Sequence, residues 1–114
     1  MDEEVGARSA DRDEGPLDRG HLARQTLGDA GLEREILSLF QRQSGVILNR
    51  LMEASGGEER RIAAHTLKGS ARAVGAWRVA AAAEAVENGA RPDLSPLAGA
   101  VNEAIATIET ILAA

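Results

Sequence analysis

The chain has 114 residues, 13 Lys and Arg against 18 Asp and Glu, a net charge of −5 and no cysteine. That is enough chain for one domain with one core. It excludes a disulfide framework and a cysteine metal site, argues against general nucleic-acid binding, and leaves no apolar run near the roughly 18–20 residues of a membrane span.

Phe40 and Trp77 are the only aromatic residues, and β-branched residues never alternate over a strand-length run. The expectation is therefore all-α. Residues 1–15 are charged and small without apolar periodicity, and read as a disordered acidic tail preceding a domain over 16–114. The start is acidic, unlike a signal or transit peptide, so a soluble cytoplasmic protein is expected. Pro16 and Asp18 offer a helix start, and Leu22, Ala23 and Leu27 give a short helix stopping at Gly28. A second helix is expected from about Gly31 to Ser55, with Leu32, Ile36, Phe40, Ile47 and Leu51 on one face and Gly56-Gly57 as its end. A third runs from about Glu58 to Ala73, with Gly75 as a left-handed stop. The fourth, about Ala76 to Asn88, is rich in alanine; Asn88-Gly89 closes it and Pro92 prevents continuation. Ser95 reads as an N-cap with Pro96 at the first helical position of a last helix, whose apolar face is Val101, Ile105, Ile108 and Leu112. Four long helices with short links pack most simply as an antiparallel four-helix bundle, with the additional short N-terminal helix covering one end.

The third helix carries the chemistry. His65, Lys68 and Arg72 stand at i, i+3 and i+7 and share a face. Ala64, Leu67, Ala71 and Val74 form an apolar stripe that would bury the other side. An exposed imidazole beside two fixed cations is a poor structural choice, and a good one if it must carry an anionic group. Gly69 costs roughly 0.5–1 kcal/mol in a helix interior. It calls for close approach of a neighbouring helix, for room for a group on the imidazole or for a partner's surface, or for both at once. Residues 60–78 also hold Arg60, Arg61 and Arg78 with no acid among them. These three fit an ordinary solvated face equally well. A local cationic patch on an acidic protein suits an acidic partner or a phosphoryl group. His21 reads as a surface residue, and Trp77 as a packing or surface residue.

The run His65-Thr66-Leu67-Lys68-Gly69-Ser70-Ala71-Arg72-Ala73-Val74-Gly75-Ala76 resembles the signature of histidine-containing phosphotransfer (HPt) domains, H-x-L-K-G-(S/A)-(S/A)-x-x-(apolar)-G-A. The resemblance extends over about residues 17–112. It implies that His65 is phosphorylated, that Lys68 screens the phosphoryl oxygens and that Gly69 leaves room. Glu87, 22 residues after the histidine, would orient the ring; its bland reading is an exposed helix acid, and Gln41 or Gln43 would then be the place to seek the orienting group. Arg72 rests on helical spacing alone. Ser70 would satisfy a backbone carbonyl rather than react. The implied function is a phosphoryl carrier of a two-component phosphorelay without kinase activity. Its partners would be receiver domains of response regulators and hybrid histidine kinases. No cofactor is implied, Mg²⁺ being expected on the partner receiver only, and the chain is expected to be a monomer with neither nucleic-acid nor membrane partners. The alternatives are a non-phosphorylated helical adaptor that blocks a receiver or kinase, and the phosphorylated module of a chemotaxis-type kinase.

Overall fold

The computed structural model describes residues 15–89 and 93–114. Five helices follow one another: α1 (Arg19–Gln25), α2 (Ala30–Glu53), α3 (Gly57–Val74), α4 (Trp77–Glu87) and α5 (Ser95–Ala113), with no strand among the described residues. The expected tail lies outside these residues apart from Gly15, and so does Pro92.

Local chemistry sets most helix ends. Asp18 and Asp29 sit extended before α1 and α2, and their carboxylates accept from the amides of His21 and Leu32, each at 3.0 Å. Each bond satisfies one of the amides that a helix start leaves open. α3 begins with Glu58 and Glu59 and ends with Arg72, matching the helix dipole at both ends. Its stop is Gly75 at φ 85°, where the amides of Gly75 and Ala76 both return to the Ala71 carbonyl.

Two boundaries differ from expectation. Gly56-Gly57 does not end α2, which stops at Glu53 when Ala54 turns extended; Gly56 instead caps α3 and Gly57 is its first residue. Ser95 is the first residue of α5 rather than its cap, because Asp93 supplies the carboxylate that accepts from the Ser95 amide at 3.0 Å.

α3 packs against α2 and α4, and α5 closes the ring by packing against the same two helices; α1 lies on α3. This is an antiparallel four-helix bundle with a short helix added. Its core takes Leu37, Phe40, Ile47, Leu48 and Leu51 from α2, the expected stripe Ala64, Leu67, Ala71 and Val74 from α3, Val79, Ala80, Ala83 and Val86 from α4, and Leu97, Val101, Ala104 and Ile108 from α5. Alanine on both sides of the α3/α4 seam removes side-chain bulk and lets the two backbones approach closely. The expected face of α2 holds at Phe40, Ile47 and Leu51, with Ile36 packed against the core, and departs at its start. Leu32 is exposed in the first turn, and Leu37 is fully buried in its place. The stripe then passes through Ser44, a buried polar residue that gives no apolar signal in the sequence.

The α3–α4 turn is anchored by α1. The Asp18 amide donates to the Gly75 carbonyl at 2.9 Å, and the buried Asp18 carboxylate accepts from Trp77 Nε1 at 2.8 Å. His21 is half-buried rather than on the surface, its ring edge-on to Trp77 at 4.8 Å. A Cβ on Gly75 would lie 2.9 Å from the Asp18 carbonyl oxygen. Gly75→Ala is therefore expected to destabilise the fold by about 1–3 kcal/mol, through left-handed strain and this clash together. Urea unfolding followed by the fluorescence of Trp77 measures it, and an unchanged midpoint would mean that the turn relaxes freely.

Candidate phosphoryl-transfer site

His65, Lys68 and Arg72 stand on the side of α3 away from its apolar stripe, and α4 runs antiparallel beside them. The turn at Gly75 sets the register. Glu87 of α4 comes level with His65 and Lys68, and Glu84, one turn earlier, comes level with Arg72.

Glu87 is the centre of the arrangement. Its Oε2 lies 2.6 Å from His65 Nδ1 and its Oε1 lies 2.7 Å from Lys68 Nζ, so one carboxylate holds the imidazole and the ammonium on its two oxygens. The His65 side chain is 64% exposed, whereas Lys68 and Glu87 are only 15% and 14% exposed. The close Lys68 ammonium, and then the His65 ring, hold the Glu87 carboxyl below the usual carboxylate range. An ionised carboxylate only accepts, so the proton between the two groups belongs to Nδ1. In the neutral ring the lone pair is then on Nε2, which has no hydrogen-bond partner among the described residues. Neither Gln41 nor Gln43 bonds the ring.

The cationic patch is less bare than the sequence suggests. Lys68 is paired with Glu87, and Arg72 Nη2 meets Glu84 Oε1 at 3.4 Å with both side chains about half exposed. Arg61 is held by Glu58 at 2.7 Å, and Arg78 by Glu103 at 3.0 Å. The histidine therefore does not sit between uncompensated charges. The carboxylates come from outside residues 60–78, which is why that stretch read as a patch of one sign. Sequence reasoning missed Glu84. Its signal was its position three residues before Glu87, on the same α4 face.

Gly69 is exposed, and nothing lies within 4 Å of where its Cβ would be. Close approach of a helix of this chain, one of the two expected reasons for it, does not hold. Ser70 makes no bond to a carbonyl among the described residues. It lines, with Thr66, Arg42, Val46 and Arg50, an open groove of about 460 Å³ between α2 and α3.

The Glu87 pair has a pH signature. Its carboxyl is depressed in the folded state, so its contribution to stability is fully present above 4.5, the value for an unperturbed Glu, and is lost as pH falls through the lower folded value. The stability difference between wild type and Glu87→Gln is expected to shrink as pH falls below 4.5, and a difference that grows in that range would contradict the ion pair.

None of the helices is long and apolar enough to cross a membrane, among the described residues. No curated protein and no solved structure matches the chain. The family model of the Hpt domain matches residues 35–111, a stretch that takes in most of α2, all of α3 and α4 and nearly all of α5. With the helical bundle and the histidine-bearing face on α3, this match makes the chain a member of the Hpt domain family, the histidine-containing phosphotransfer domains of two-component systems.

Proposed function

We propose that the protein carries a phosphoryl group on Nε2 of His65, accepting it from an aspartyl phosphate of a receiver domain and passing it to the aspartate of another. The observation that carries this reading is the 2.6 Å contact between His65 Nδ1 and Glu87 on an otherwise exposed ring. It leaves the free lone pair on the nitrogen that faces away from the carboxylate.

In the forward step the Nε2 lone pair attacks phosphorus and the N–P bond forms. The P–O bond to the receiver aspartate breaks, its electron pair returning to the carboxylate. No proton needs to move. The ring becomes a phosphorylated imidazolium that keeps its Nδ1 proton, and the negative Glu87 stabilises that positive ring. Lys68, on the other oxygen of Glu87, brings a positive charge close to the incoming phosphoryl oxygens. The reverse step uses the same groups, which suits a carrier rather than an enzyme. The open space at Gly69 and the groove flanked by Arg42 and Arg50 support docking of an acidic surface over the histidine. A receiver active site, with the carboxylates that hold its Mg²⁺, has that chemistry.

The test is transfer from a phosphorylated receiver domain to the purified protein, with the label located by tandem mass spectrometry. The expected label is acid-labile, alkali-stable, confined to the peptide containing His65, and returned to an unphosphorylated receiver. A label on any other residue, or none from any receiver, would overturn the reading.

A further inference from the structure

The stripe on α3 does not begin at His65. Glu58, Arg61, His65, Lys68 and Arg72 follow at steps of three, four, three and four, all on one face. The three cations differ in how they are held. Lys68 is mostly covered and tied to the carboxylate that orients the ring, and Arg72 is tied across to α4. Among the described residues Arg61 is bound only to Glu58 on its own helix, through Nε at 3.2 Å and Nη2 at 2.7 Å, and the two side chains are 49% and 72% exposed.

Side chains on a helix lean toward its N-terminus. By that lean the His65 ring would reach over the turn that carries Arg61 rather than the turn that carries Arg72. Arg61 also feels the charge of the site: Glu58 is the main cause that raises its pKa, and Glu87 adds to it. Glu58 occupies the Nε/Nη2 edge of the guanidinium as a forked acceptor with a single negative charge. A phosphoryl group offers the same fork with more charge and three oxygens. An exposed ion pair contributes little, so exchanging it costs little.

We propose that Arg61 is a phosphoryl-binding residue held in reserve by Glu58: on phosphorylation of His65 its guanidinium leaves Glu58 and closes on the phosphoryl oxygens from the side opposite Lys68. This rests on His65 being the phosphorylated residue. The exchange provides a second cation for the phosphorylated state while leaving the resting face neutral.

The experiment labels full-length protein with phosphoramidate, a small donor that needs no docking surface, and follows phosphohistidine lifetime by ³¹P NMR. Arg61→Ala is expected to shorten the lifetime about 3- to 10-fold, Arg61→Lys to restore part of it, and Glu58→Gln to leave it equal or longer. In wild type the Arg61 Nε–H resonance should shift on phosphorylation. Circular dichroism shows whether each variant stays folded. A label on His65 with an unchanged lifetime in Arg61→Ala overturns the role of Arg61 alone. Equal shortening by Glu58→Gln overturns it as well, since the pair would then act by holding the start of α3. If no label forms on His65 in wild type, the carrier reading itself fails.

Discussion

His65→Gln is expected to reduce phosphoryl transfer from a receiver to background while leaving the fold intact. The side chain is 64% exposed and outside the apolar stripe, so its loss touches no core contact. Surface substitutions of this kind usually change stability by no more than about 0.5 kcal/mol. Glutamine keeps an amide able to donate to Glu87 but has no nucleophilic lone pair on nitrogen, so the defect would be chemical. The other histidine cannot substitute, being half-buried with its ring against Trp77 at the far end of α3. Transfer assays with unfolding curves for both proteins make the test. Label persisting in the variant at wild-type level would refute His65 as the carrier, and a collapsed unfolding transition would show a structural role instead.

The second large effect is expected at Glu87. Glu87→Ala removes the acceptor of the Nδ1 proton, the proposed counter-charge of a phosphorylated ring and the partner of Lys68 in one change. Removing the carboxylate that orients a functional histidine costs about 10- to 100-fold in comparable sites, and more where the wrong tautomer results. A loss of about that size in transfer rate is expected, with a larger share of the tautomer protonated at Nε2. Glu87→Gln separates the two contributions. Its amide oxygen still accepts from Nδ1, so the tautomer should stay as in wild type, but the charge is gone, so the rate should fall between the two. Nitrogen NMR of the ring reads the tautomer and stopped-flow transfer reads the rate. If Glu87→Ala moves neither, the 2.6 Å contact has no part in the chemistry.

Much of this arrangement was legible before the fold was known, because it is local. The helix start at Asp18, the left-handed stop at Gly75 and the stripe Ala64, Leu67, Ala71 and Val74 depend on residues a few positions apart. So does the shared face of His65, Lys68 and Arg72. The Glu87 contact was reached from a family resemblance and not from spacing, since 22 residues separate it from His65. On α2 periodicity placed Phe40, Ile47 and Leu51 in the core and Ile36 at its edge, and missed only at Leu32. Leu32 continues the helical repeat as well as Leu37 does, but it lies in the first turn, where no neighbouring helix covers it, and a buried Ser44 interrupts the apolar pattern.

What the sequence by itself determined was the all-α class, the order of the helices and the chemical character of one face of α3. These follow from backbone propensity and from side-chain spacing along a single helix. Only the tertiary structure decided which charges on that face are compensated and by what. Arg72 meets Glu84, Lys68 meets Glu87 and Arg78 meets Glu103 across helix seams. His21, Trp77 and Asp18 likewise become one anchor at the α3–α4 turn. The physical reason is register. A salt bridge or ring contact between helices depends on their relative height to within a few ångströms, and that height is set by turn geometry and by the packing of small residues at the seam. Neither is written in the spacing of the residues that finally touch.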